Sequence, residues 1–186
     1  MVNLISPTKV NLSETTVMNS TVKVWNTLVN MKFKGFLFEV SLSKYQKYDR
    51  NINIFLALAA SSSIGAWAIW KEYPMVWGGI IAASQVVTTV KPYFPYSKMV
   101  KEMNARCLKM DLLNIEFEER IWDMMQRAII SEATILERYY YFSKKYTEIL
   151  SMPDDLFFEP SKKQIDEANH RVKIFIQANY GIEIQL

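Results

Sequence analysis

NINIFLALAASSSIGAWAIW at residues 51–70 and YPMVWGGIIAASQVVTTV at residues 73–90 carry no formal charge over 20 and 18 positions, and only Lys71 and Glu72 stand between them. An uncharged run of about 17–25 residues is long enough to cross a bilayer core of ~30 Å as a helix. Two such runs joined by a tight turn predict a membrane hairpin. The alternative is a pair of buried helices in a soluble bundle. Aromatic residues favour the bilayer: Trp67, Trp70, Tyr73 and Trp77 cluster at the turn, Tyr45 and Tyr48 precede the first run, and Tyr93, Phe94 and Tyr96 follow the second. Such belts mark the two membrane interfaces. Three of the five glycines, Gly65, Gly78 and Gly79, also lie inside the runs.

The flanks orient the hairpin. Lys32, Lys34, Lys44, Lys47 and Arg50 outnumber Glu39 and Asp49 before it, and Lys91, Lys98, Lys101, Arg106 and Lys109 outnumber Glu102 after it. The excess of Lys and Arg on that side predicts a multi-pass protein of the inner (cytoplasmic) membrane, with both termini in the cytoplasm. The first 16 residues, MVNLISPTKVNLSETT, lack the basic and long apolar regions of a secretion signal. A net charge of +3 is too small to argue for nucleic acid, and a single cysteine, Cys107, excludes an intrachain disulfide framework.

The expected organisation is all-α. Residues 1–20 form a loose arm, and 21–50 a cytosolic amphipathic helix with Val22, Trp25, Leu28 and Val29 on one face. The hairpin occupies 51–91, as spans 51–70 and 73–91. Residues 96–152 hold no glycine or proline before Pro153 and predict one long cytosolic helix of roughly 85 Å. Along it, Met103, Cys107, Met110, Phe117, Ile121, Met124, Ala128 and Ile135 make one apolar stripe, and Leu108, Leu112, Ile115, Trp122, Ile129, Leu136 and Tyr140 a second. Two stripes want two partners. One is the N-terminal helix. The other is a neighbouring subunit, so a homo-oligomeric bundle is expected, with Phe117, Ile121, Met124 and Ala128 at its interface. Residues 153–186 are a loop and a last helix, which a Ser161–Gln164 capping box opens and Gly181 ends.

No residue set for catalysis stands out. The chain lacks a glycine-rich phosphate loop, H-E-x-x-H, paired cysteines and G-x-S-x-G, and its only histidine, His170, reads as a surface residue. No enzyme activity, cofactor or metal is expected. The polar groups inside the runs are more informative. Ser61, Ser62 and Ser63 sit in the first, and Ser84, Gln85, Thr88 and Thr89 in the second. They serve either packing between the helices of the hairpin or a water path through several assembled hairpins. Ser61, Ser62, Gln85, Thr88 and Thr89 are the pore-lining candidates.

The order of parts, with NINIFLALAASSSIGAWAIW and VWGGIIAASQVVTTVKPYF leading into a long helix, resembles the SLATT family of two-transmembrane effectors in bacterial conflict systems. The resemblance covers about residues 21–150 and rests on architecture, without signature residues. It implies a membrane-embedded, pore-forming effector or ion channel of anti-phage defence. A sensor protein or a nucleotide second messenger would supply its signal, and the lipid bilayer and further copies of the chain would be its partners. The rival reading is a membrane-anchored scaffold with inert spans. A holin is a third, for which the long cytosolic helix is larger than needed.

Overall fold

A computed structural model describes the backbone of residues 12–65, 74–93, 96–127 and 130–183, and the side chains of 20–59, 75, 76, 78–93, 96–127 and 130–183. Its described elements are helical. They are α1 (Leu12–Gly65), α2 (Pro74–Val90), α3 (Tyr96–Phe117), α4 (Asp123–Gln126), α5 (Glu132–Leu150) and α6 (Lys162–Tyr180). A 3-10 turn at Lys91–Tyr93 follows α2, and a π-helical turn at Glu118–Trp122 joins α3 to α4.

The core forms where α1 and α3 meet. Buried Val24, Leu28, Met31 and Phe38 recur along α1 in steps of 4, 3 and 7. On α3 buried Met99, Met103, Arg106, Met110, Leu113 and Phe117 follow steps of 4, 3, 4, 3 and 4, with buried Cys107 and Asn114 beside them. Both are seams of the kind that pack knobs into holes. Gly35 fills the gap in the α1 seam. A Cβ there would stand at ordinary contact distance, 3.4 Å from Met110 Cγ and 3.5 Å from the Asn114 amide, so Met110 and Asn114 of α3 face α1 at this position. α1 passes through Gly35 unbroken. On its other flank α1 receives α6, through buried Leu37 and Ser41 against Gln164, Ala168, Val172 and Ile176.

Residues 96–152 are not one helix. The π turn admits an extra residue and brings Trp122 against Trp25 and Tyr180, with centroids at 5.1 and 5.6 Å. The helix ends at Arg127, and Ser131 caps α5, its hydroxyl accepting from the Thr134 N–H at 3.3 Å. α5 then packs back on α3, where Phe142 meets Phe117 edge-on at 5.4 Å. Two arginines tie the elements together by donating to backbone carbonyls. Arg138 donates to the Arg120 carbonyl at 2.6 Å, and buried Arg106 donates to the Ile149 carbonyl at the end of α5.

The membrane hairpin is corrected. No helix among the described residues is long and apolar enough to cross a membrane. That finding overturns the two-transmembrane fold, the pore built from it, and the multi-pass placement in a cytoplasmic membrane with both termini inside. The reason lies in how the apolar runs are divided. Residues 51–65 are the end of a 54-residue helix that also carries Lys44, Lys47, Asp49 and Arg50. The second run supplies a 17-residue helix, about 25 Å long against a core of ~30 Å. Residues 66–73, with Trp67, Trp70 and Tyr73, lie outside the described residues, as do residues 1–11 of the N-terminal arm.

Candidate functional site

Between Leu42 and Lys98, no side chain among those described is buried. The end of α1 and the whole of α2 therefore stand off the body as an arm. Lys91 Nζ ties the two helices at their base, donating to Asn53 Oδ1 at 2.6 Å. The arm's surface is apolar and exposed: Ile54 at 50 %, Leu58 at 65 %, Met75 at 90 % and Val86 at 62 %. Exposed apolar side chains gathered on one arm point to a contact with a partner or a lipid layer.

The pore-lining candidates divide. Gln85, Thr88 and Thr89 are exposed on α2. The side chains of Ser61 and Ser62 lie outside the described residues. The hydroxyls of α2 are directed at their own helix. Ser84 donates to the Ile81 carbonyl, Thr88 to Ser84 and Thr89 to Gln85, each at 2.8 Å. Groups satisfied in this way need no water path and can enter an apolar layer without losing a hydrogen bond.

The interface candidates divide as well. Phe117 and Ile121 are fully buried inside the chain, where α1 and α5 cover them. Met124 is half-buried, its Sδ 2.9 Å from Arg138 Nη1, and Ala128 lies outside the described residues. Of the second stripe, the part on α3 stays open: Leu108, Leu112 and Ile115 are 59–68 % exposed, whereas Trp122 packs against Trp25 and Tyr180.

The base of the arm is basic and aromatic. Tyr96 lies 6.3 Å from Tyr45 and 5.9 Å from Tyr48, between rings, and Tyr93 is almost fully exposed. Lys44, Lys47, Arg50, Lys91, Lys98 and Lys101 lie within a few positions of them in the sequence, Lys98 already paired with Asp155. The acids among them are engaged. Asp49 accepts from Asn53 at 3.1 Å and Ser97 at 2.7 Å, and Glu102 faces Arg106 at 3.6 Å.

Beside this collar, the flank of α1 and the start of α6 enclose an open cleft of about 1040 Å³. Lys44, Lys47, Lys162, Lys163 and Arg171 line it, against Asp166 and Glu167. Sequence reasoning missed Lys162 and Lys163. The available signal was a lysine pair directly after the Ser161 cap, where a helix start favours acids. Farther along α1, burial raises the carboxyl pKa of Glu39 and, on α3, of Asp111, and Asp111 raises Glu39 further. No group of three His, Cys, Asp or Glu side chains placed to hold a metal ion occurs among the described residues.

No protein-family model, curated protein or solved structure matches the chain. The resemblance to SLATT proteins accordingly rests on the order of parts alone.

Proposed function

We propose that this chain is a lipid-attached interaction protein, whose apolar two-helix arm docks into the surface of an anionic membrane and holds a rigid helical body against it. The observation that carries the reading is the arm itself: exposed apolar side chains, hydroxyls bonded to their own helix, and a collar of tyrosines and lysines at its base. Tyrosine rings suit the headgroup level, and each lysine near an anionic surface contributes about 1 kcal/mol of attraction. The reading assigns the arm no crossing of the bilayer and the chain no reaction. Flotation with lipid vesicles tests it. The chain should rise with phosphatidylcholine vesicles that contain phosphatidylglycerol, less with phosphatidylcholine alone, and less as salt rises. Ile54→Glu with Val86→Glu changes only exposed arm positions and should abolish flotation while the helical content stays. A native chain that remains at the bottom of the gradient with anionic vesicles would refute the attachment.

The open stripe on α3 favours a second feature of the same protein, association with a second copy. Ala105, Leu108, Leu112 and Ile115 follow steps of 3, 4 and 3 on the exposed face. That is the spacing by which identical helices pack. Exposed Lys101 and Glu119 close the two ends of the stripe. Laid antiparallel on its copy, the stripe therefore brings opposite charges together at both ends.

A further inference from the structure

We infer that the cleft between α1 and α6 binds a phosphomonoester group. The inference rests on the lipid-attachment reading only for the source of that group, a membrane headgroup. Four lysines reach the cleft from two helices, and their charges are largely unspent. Lys47, Lys162 and Lys163 form no ion pair within 4 Å among the described residues. Lys44 is fixed rather than neutralised, its Nζ donating to Gln164 Oε1 at 3.0 Å. The acids on the rim cancel little of this. Glu167 is held by Arg171 at 2.8 Å, which also reaches Glu39 at 3.5 Å, leaving Asp166 as the one unpaired carboxylate among the lining residues.

Lys162 and Lys163 also stand against local stability. The start of a helix repels cations, and α6 has no acid in its first turn. A pair of lysines there is costly for α6 alone and becomes favourable when an anion occupies the cleft. Position and size agree. Lys44 and Lys47 lie six and three residues before Arg50, so roughly 5–9 Å along α1 from the base of the arm. A cleft of about 1040 Å³ open to solvent admits a headgroup from the surface that the arm enters. A phosphomonoester carries about −1.5 to −2 charges near neutral pH and three acceptor oxygens. Several ammonium groups can donate to it at once, whereas a phosphodiester offers one charge.

The test compares vesicles of equal surface charge, made with phosphatidic acid or with phosphatidylglycerol in phosphatidylcholine. The chain should bind the phosphatidic acid vesicles about tenfold more tightly. Lys47→Gln with Lys162→Gln and Lys163→Gln should remove that preference, while flotation on phosphatidylglycerol should weaken no more than in Lys47→Gln alone, because Lys47 also belongs to the collar at the base of the arm. A charge-matched control at exposed Lys23, Lys109 and Lys144, each changed to Gln, should keep it. In a second arm without lipid, inorganic phosphate should slow acetylation of Lys47, Lys162 and Lys163, read by mass spectrometry. Protection by phosphate without a preference between vesicles supports the cleft and assigns it a soluble ligand. Protection in a chain that floats with no vesicle supports the cleft and removes the arm's lipid reading. Equal binding to both vesicles with no protection overturns the cleft and leaves the arm intact. A preference that survives the triple substitution also overturns it.

Discussion

Cys107 is buried beside the α1–α3 seam, and its chemistry follows from that position. Burial, reinforced by the nearby carboxylates of Glu39 and Asp111, pushes its thiol up from 9.0 to about 12. The thiolate is the reactive form. At pH 8 a pKa near 12 leaves about one thiol in ten thousand ionised. Iodoacetamide should therefore leave the folded chain unlabelled at pH 8 and label it fully in denaturant. Rapid labelling of the folded chain would show that the helices open at this point. The same shift couples to stability. The unfolded chain loses this proton near pH 9, while the folded chain holds it to about 12. Its contribution is complete below pH 9 and is lost as the pH rises toward 12. Tyr146, pushed by burial from 10.0 to about 12, acts in the same direction over the upper part of that window. Tyr45 and Tyr180, also raised chiefly by burial, act in the same direction. Melting temperature measured from pH 8 to 11 should fall in the native chain and fall less steeply in Cys107→Ala, which keeps only the share of the tyrosines.

At the scale of elements, one side chain locks α6 to α1. Gln164 is buried, and its Nε2 donates to Ser41 Oγ at 2.8 Å. Its Oε1 accepts from the Ser161 N–H at 3.1 Å, the Ser161 hydroxyl at 2.7 Å and Lys44 at 3.0 Å. Gln164→Leu keeps the volume and the buried position but removes the amide. The cap of α6 and the link to Ser41 are lost together, at about 1–3 kcal/mol. Hydrogen exchange in the variant should rise across 162–180 first, with 99–117 protected as before; a uniform rise would show that α6 does not unfold separately. This helix was legible because its signals are local: Ser161 and Gln164 at the start, and Gly181 in the left-handed conformation (φ 66°) at the end. The reversal between α4 and α5 was not. No glycine or proline marks it, and both sides continue an apolar period. The bonds that hold α5 back on α3 and the π turn, Arg138 to the Arg120 carbonyl and Arg106 to the Ile149 carbonyl, join residues 18 and 43 positions apart. The same fold-back explains why Phe117 and Ile121 looked like an interface: the partner that the stripe required is α5 of the same chain.

At the scale of the whole molecule, a heavily apolar arm is attached to a body whose core is nearly complete. The arm's location was legible, because apolar length is a local property of residues 51–90. Its structure was not, because run length alone does not say where a helix begins or ends. α1 enters the first run without a break and α2 occupies 17 residues of the second. Likewise Lys44 and Lys47 were legible as flanking charge, whereas the cleft needed α6 folded beside them, 120 residues away in the case of Lys44 and Gln164. What the body leaves open decides how copies of it combine. α3 buries one seam against α1, and its opposite face keeps Leu108, Leu112 and Ile115 in water. Covering a leucine or isoleucine contributes about 1.5–3 kcal/mol, and a two-fold contact counts each residue twice. Light scattering should then show a dimer whose fraction grows with concentration. Leu112→Glu places a carboxylate in the middle of the stripe, where the copy's stripe would desolvate it, and should return the chain to a monomer. Because Leu112 is 68 % exposed within the chain, the variant should melt within about 0.5 kcal/mol of the native monomer. Phe117→Ala gives the opposite pattern, since its ring is buried against Phe142 and α1: about 3–5 kcal/mol of monomer stability is lost, with no change in association per folded chain. A dimer that persists in Leu112→Glu would move the contact away from α3, and a native chain that stays monomeric at high concentration would remove the second copy altogether.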